Sequence, residues 1–302
     1  MKTVAILTPS YNRAHLLPAL YQSLLSQTSR DFTWYIVDDG SADNTADVVA
    51  AFGQDAFNIV YLKKPNGGKH TALNVGLQSI AEELTFIVDS DDVLTPDAVE
   101  TIVTDWQRYG ADASLCGLSY YKCYMDGQVV GCPYPSAAPE KDSFVNMRVN
   151  RGVWGDNAEV WVTAILRQHP FPEFPGERFM SESVVWHAMS RAGHQMIFIP
   201  RGIYLCEYRE DGLTKAGRKL RLLCPCGTME HALAYMTKDV KFVQRCKYAL
   251  YYAAVAVYAH KIKYGRTRLA KELRPLYAAA FLPGVLLACC WTAKYGRFSK
   301  LK

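Results

Sequence analysis

Hydrophobic positions in the first hundred residues switch repeatedly between two spacings. Val4–Leu7 is a short continuous apolar run, the pattern of a strand buried on both faces. Leu16, Leu17, Leu20 and Leu24 then fall on one helical stripe. Trp34–Val37 and Asn58–Leu62 read as further strands, with a short helix over Asn44–Ala51 between them. Leu73, Leu77 and Ile80 mark the buried side of another helix, and Leu84–Val88 is the fourth strand. Thr95 is placed to cap the next helix with Pro96 at its first position, Val99, Ile102, Val103 and Trp106 on its inner face, and Gly110 at its end. Repeated strand–helix units of this kind predict a parallel sheet with right-handed crossovers.

The middle is less regular. Residues 113–135 alternate enough to predict a strand pair around Asp126-Gly127. Val160–Ile165 and Met196–Ile199 read as strands and Ser183–Ala192 as a helix, with a proline-rich extended loop over Pro170–Gly176. From about residue 231 the pattern is helical. Tyr248–Ala259 is apolar almost all round, and Leu276–Ala293 is a second apolar run that Pro283-Gly284 interrupts. The chain therefore divides into residues 1–230, with halves 1–110 and 111–230, and a tail over 231–302.

Composition changes this picture mainly through charge. The 302 residues are half hydrophobic, enough for a substantial core, and the net charge is +5. That charge is unevenly spread: the tail holds fourteen Lys/Arg against Asp239 and Glu272, while the rest holds twenty against twenty-seven acids. An acidic body with a basic, apolar tail points to an anionic membrane surface and away from nucleic acid. The first tail segment is too short to span a bilayer; the second is borderline, and its helix breakers count against spanning. Basic flanks with Tyr and Trp291 at the edges suit helices lying in the interface, on the cytoplasmic face of a cell membrane; helices packed on the body are the alternative. Met1-Lys2 runs straight into a strand pattern with no secretory leader. The nine cysteines lack zinc spacing and fit reduced thiols in the cytosol.

The chemistry gathers at strand ends. Leu84-Thr-Phe-Ile-Val-Asp89-Ser90-Asp91-Asp92 ends an apolar strand in three carboxylates within four residues. Such a cluster repels itself unless a cation neutralises it, and a hard divalent metal bridging phosphate oxygens does so. An Asp-rich turn that caps the next helix is the plain alternative. Thr8-Pro-Ser-Tyr-Asn-Arg13 follows the first strand and Asp38-Asp39-Gly40-Ser41 the second, on the same carboxyl edge of the predicted sheet. Open α/β sheets bind ligands at that edge, where a carboxylate accepts from a base N–H or a ribose hydroxyl. Asn66-Gly-Gly-Lys69 adds pliant backbone and a cation suited to a diphosphate.

These motifs, with Ala72-Leu-Asn74-Val-Gly76, resemble the family 2 glycosyltransferases, strongly over residues 3–110 and more loosely over 150–215. The resemblance implies an α/β fold of the GT-A type: a Rossmann-like, mostly parallel central sheet with flanking helices, here followed by a C-terminal α-helical extension. It also implies a nucleotide-sugar donor, a UDP-sugar by default, held by Pro9, Tyr11, Asp39, Lys69, Asp89 and Ser90. Asp89 and Asp91 would bind Mn²⁺ or Mg²⁺. The family places a catalytic acid at the start of a helix in its second half, which corresponds to Glu182 in Phe179-Met-Ser-Glu182-Ser183. Many members have Glu-Asp there; Ser183 departs from that pattern, and the role of base falls to Glu182, since a serine hydroxyl is no base near pH 7. A helix-terminal Glu favoured by the macrodipole is the alternative.

The implied reaction is inverting transfer to a hydroxyl of a glycan acceptor, polyprenyl-diphosphate-linked given the tail, in surface polysaccharide assembly. Weaker candidates are Trp154 and Asp156, at the acceptor or the metal, and His187, one turn beyond Ser183, where a surface histidine is the plainer expectation. The polar segment Glu207–Lys215 with Arg218-Lys219 is a candidate mobile loop over the diphosphate. A sugar-1-phosphate nucleotidylyltransferase lacks its Gly-rich first loop here, and a catalytically inactive UDP-sugar binder stays open through Ser183.

Overall fold

The structure is a computed structural model that describes residues 2–53, 55–207 and 213–301, with side chains left out of account at 213–216, 300 and 301. Two compact units divide it: Met1–Pro170 with Met189–Glu207, and Phe171–Ala188 with Tyr208–Lys302. The split thus falls elsewhere than at residue 230. The second unit takes in the segment around Glu182 and the helices from 213 onward, because their apolar faces pack on the tail helices.

The first unit is built on one nine-stranded sheet. Its strands are β1 (Val4–Ser10), β2 (Phe32–Asp38), β3 (Asn58–Lys63), β4 (Leu84–Ile87), β5 (Val93–Leu94), β6 (Leu115–Tyr124), β7 (Glu140–Asp142), β8 (Asn157–Val162) and β9 (Gln195–Cys206). The order is β3-β2-β1-β4-β8-β6-β9-β5, with β7 on β9. β1 to β4 are mutually parallel, as the strand–helix alternation predicts. β8 then runs antiparallel between β4 and β6, and β6 pairs parallel with β9, so the second half of the sheet is mixed. The helices of this part are α1 (Leu17–Leu25), α2 (Thr45–Ala50), α3 (Lys69–Ser79), α4 (Ala98–Tyr109) and α5 (Thr163–Gln168).

Every residue of β1 and β2 is buried, which explains why their sequences do not alternate. On one face Val4, Ile6, Trp34, Ile36 and Phe86 form the main core with Leu17, Leu20 and Leu24 of α1 and Val99 and Ile102 of α4. On the other, α3 lies so close that a Cβ on Gly76 would sit 2.4 Å from Leu7 Cδ1.

Several local expectations shift. α4 starts at Ala98 with Asp97 in the capping position; Thr95 lies ahead of it and donates to Asp97 Oδ1 at 2.7 Å. The chain expected as strand to Ile165 turns helical at Thr163. The pair around Asp126-Gly127 is a tight turn closed by a single Cys123–Val129 bridge. The late strand is far longer than Met196–Ile199, because it must pair with both β6 and β5.

α6 (Ser183–Arg191) begins in the second unit. That unit also holds α7 (Leu213–Leu223), α8 (Pro225–Ala234), α9 (Phe242–Tyr258), α10 (Ile262–Arg268), α11 (Arg274–Tyr295) and α12 (Phe298–Leu301). Ala249 and Tyr252–Ala256 of α9 are buried against Tyr277, Ala288 and Trp291 of α11. α9 is thus a core helix, contrary to the interfacial expectation. α11 runs unbroken through Pro283-Gly284. A Cβ on Gly284 would meet Ala253 Cβ at 2.6 Å, so the glycine is where the two helices cross closely.

Candidate active site

The parallel register puts the predicted motifs on one edge. Ser10 of β1 pairs with Asp38 of β2, which pairs with Lys63 of β3, while Leu7 pairs with Ile87 at the end of β4. The segments after β1, β2, β3 and β4 therefore leave the sheet side by side.

Asp39 organises the loop after β3. Its Oδ1 accepts from Lys64 Nζ at 2.7 Å and Gly67 N at 2.9 Å, and its Oδ2 from Asn66 Nδ2 at 3.1 Å and Gly68 N at 2.6 Å. The loop can come this close because Gly40, at φ +79°, has no Cβ; one would stand 2.8 Å from Asn66 N. Beside it, Asn12 N donates to Ser41 Oγ and Ala42 N to Asn12 Oδ1, each at 2.9 Å, stitching the first motif to the second. Pro9 is buried in β1, whereas Tyr11 is 46 % exposed at the rim.

The acidic turn carries its own counter-charges. Lys69, the first residue of α3, holds Asp89 Oδ1 at 2.5 Å. Lys122 of β6 holds Asp92 Oδ2 at 2.8 Å and approaches Asp89 Oδ2 at 4.0 Å. Tyr204 of β9 joins them: its hydroxyl donates to Asp92 Oδ2 and accepts from Asp89 N, both at 2.8 Å, and the Lys122 ammonium lies 4.4 Å from its ring centroid. Burial would raise the Asp89 carboxyl, but Lys69 and Lys122 outweigh it and hold it below the usual carboxylate range. Burial pushes Asp92 up to about 6, against the pull of Lys122 and with the push of Asp89. Burial alone would discharge Lys122, yet the carboxylates of Asp89 and Asp92 hold it protonated. Asp91 is half-buried at the same turn and Ser90 is buried.

Lys122 and Tyr204 belong to no sequence motif, although a lysine in the apolar strand Leu-Cys-Gly-Leu-Ser-Tyr-Tyr-Lys122-Cys is a visible signal of a buried charge. Lys64 was likewise hidden beside the more conspicuous Lys69. Asp156 precedes β8, is exposed, and adds its field to Lys122; Trp154 is 68 % exposed.

The remaining predicted residues belong to the second unit. Glu182 stands immediately before α6, half-buried, its carbonyl accepting from Val185 N at 2.9 Å. Ser183 Oγ meets His231 Nδ1 at 3.0 Å. His187 is no surface residue: it is fully buried and its Nδ1 donates to Ala234 O at 2.9 Å. Residues 208–212 of the expected mobile loop lie outside the described residues, and Arg218 sits on α7.

Comparison with known proteins bears on the fold and on the class of reaction. The sequence profile of glycosyl transferase family 2 matches residues 5–128. A Campylobacter jejuni GalNAc(5)-diNAcBac-PP-undecaprenol beta-1,3-glucosyltransferase is 25 % identical over 295 residues, 93 % of this chain and 88 % of that one. The glycosyltransferase GlyG of Streptococcus pneumoniae is 25 % identical over 222 residues, 70 % and 73 % of the two chains. The structure of S. aureus TarS 1–349 in complex with UDP-GlcNAc shares the fold at a TM-score of 0.64 and 16 % identity, covering 100 % of this chain and 89 % of that one. Other solved proteins of this fold are complexes with Mn²⁺ and a nucleotide sugar. A nucleotidylyltransferase is thereby set aside: residues 5–128 match the family 2 glycosyltransferase profile, the fold is of the GT-A type, and the chemistry is sugar transfer in glycan synthesis.

Proposed function

We propose that the chain moves one sugar from a UDP-sugar to a hydroxyl of a lipid-linked glycan, with inversion, at the cytoplasmic face of the cell membrane. The observation that carries this is the single sheet edge on which the Asp39-organised loop adjoins the acidic turn clamped by Lys69. The length-wide likeness to an enzyme named for an undecaprenol-linked acceptor supports the lipid carrier, and the basic tail agrees with it.

The donor edge fits a divalent ion. Among the described residues no three His, Cys, Asp or Glu side chains form a ready-made cage. Asp89 and Asp91 would hold the ion, and two carboxylates are what Mg²⁺ or Mn²⁺ takes when phosphate oxygens and water complete its shell. None of the contacts that tie down Asp89 and Asp92 engages Asp91. When bound, the ion neutralises charge on the diphosphate.

The chain's own residues do the rest. Lys69 faces the developing negative charge of the leaving diphosphate. Glu182 takes the proton of the acceptor hydroxyl as its oxygen bonds to the anomeric carbon. The bond to the diphosphate oxygen breaks in the same step, UDP leaves with the electron pair, and the anomeric configuration inverts.

A panel of nucleotide sugars scored for Mn²⁺-dependent UDP release in the presence of membrane lipid extract tests the whole reading. Glu182→Gln should abolish transfer with UDP binding intact, while Asp91→Ala should abolish both transfer and metal-dependent UDP binding. Full turnover by Glu182→Gln removes the base; absence of UDP release from every donor leaves a sugar-nucleotide binder.

A further inference from the structure

Within the helical unit a cavity of about 470 Å³ opens between α7, α8, α9 and α11, a size typical of small-molecule sites. Three cations line it: Arg218 and Arg221, three residues apart on α7, and Lys247 on α9. None of the three is ion-paired with a carboxylate among the described residues. Each lies near an aromatic ring instead: Arg218 at 6.0 Å from Trp291, Arg221 at 5.3 Å from Phe179 and Lys247 at 5.8 Å from Tyr248. Of the acids in the same unit, Glu230 pairs with Arg268 at 2.7 Å and Glu177 accepts from the amides of Cys226 and Gly227. Positive charge gathered without a counter-ion is unfavourable until an anion arrives. Its effect is felt on the buried His231 in the wall, where burial and then Arg221 push the imidazole down to about 3.

The rest of the lining is apolar and aromatic. Tyr248, Tyr251 and Trp291 form it with Leu287 of α11, the helix whose outward Leu282 and Leu286 are 74 % and 69 % exposed. Guanidinium forks match phosphate oxygens, and such a wall matches a hydrocarbon chain. We propose that this cavity binds the phosphate end of an amphiphilic lipid, a mono- or diphosphate ester of a long apolar alcohol, and so seats the carrier of the acceptor glycan. The proposal rests on the lipid-linked acceptor read above and adds the residues that grip it.

Three probes separate the sources of affinity: farnesyl diphosphate, inorganic pyrophosphate and farnesol, each titrated calorimetrically into the full chain. Farnesyl diphosphate should bind at least about tenfold more tightly than either of the others, a difference of about 1.4 kcal/mol. Arg221→Gln with Lys247→Gln should lose at least about tenfold, whereas Arg221→Lys with Lys247→Arg, which keeps both charges, should retain most of the binding. Circular dichroism verifies that each variant keeps its helices, and Lys247→Gln alone replaces the double variant if it does not. Equal binding by wild type and the Gln variant overturns the site. Pyrophosphate as tight as farnesyl diphosphate makes it a free-anion site, and farnesol as tight makes it a plain apolar one; either overturns the proposal. Donor hydrolysis, read in the same wild-type preparation, keeps the two failures apart: hydrolysis without farnesyl diphosphate binding sinks only this site, and its absence from every donor sinks the transferase mechanism.

Discussion

At the scale of single residues, charge is compensated from distant points of the chain. Asp92 is buried with Lys122, which comes from a strand thirty positions on, and with Tyr204 from a strand far beyond that. Removing one partner of a buried pair leaves the other uncompensated, which costs about 3–5 kcal/mol. Lys122→Met should therefore lower stability by about that amount in urea titrations; a loss under about 1 kcal/mol would mean the pair is solvated. His231 offers a pH test in the other unit. Its folded pKa of about 3 lies below the unfolded value, so folding favours the neutral ring. Stability from this residue is full above about pH 7.5 and falls by up to about 1.4 kcal/mol per unit as pH drops through the unfolded value toward the folded one. Between pH 6.5 and 5 the wild type should lose about 1.6 kcal/mol more than His231→Gln. Parallel losses in the two proteins would show that the ring already titrates in the native state.

At the scale of elements, periodicity located nearly every strand and helix of the first half, because β1, β2 and α1 bury faces that their own sequences mark. Boundaries moved where a partner decided them. Thr163 turns helical in mid-run, and β9 extends to Cys206 because β6 and β5 both pair with it. Pro283-Gly284 shows the limit of local rules. As a dipeptide it marks a break, but in α11 the glycine faces Ala253 and lets two helices meet. Gly284→Val should force them apart and cost about 1–3 kcal/mol, seen as an earlier loss of helix on heating. An unchanged melt would show that α9 and α11 can separate freely.

At the scale of the whole molecule, the basic charge and the apolar outer side of α11 bear on membrane binding. Lys271–Tyr295 is 25 residues long with a mean hydropathy of 1.7, and only 22 % of its apolar window is buried. Its inward stripe, Tyr277, Gly284, Ala288 and Trp291, is packed on α9, so cutting the helix away would expose core. Leu282→Glu with Leu286→Glu changes only outward positions. The wild type should sediment with phosphatidylglycerol vesicles and the double variant should lose most of that binding, since each buried leucine contributes about 1.5–3 kcal/mol. Equal sedimentation would place the contact elsewhere.

By itself the sequence determined the alternation of strands and helices, the four motifs at strand ends and their common edge, because parallel βα units place every strand's carboxyl end on one side. Three acids in four residues, read with the motifs at the neighbouring strand ends, pointed to a site for a divalent cation. Tertiary structure alone decided what stands beside these carboxylates: Lys69 is local to a motif, but Lys122 and the Tyr204 hydroxyl reach the acidic turn, and Lys64 reaches Asp39, through pairing and loop closure that no short window contains. It also decided that α9 is core, that His187 is buried, and that Arg218 and Arg221 share one aromatic cavity with the tail residue Lys247. The physical reason is the same in each case. Hydrogen-bond and burial patterns within an element follow its own residues, whereas compensation of a buried charge depends on whatever the fold brings beside it.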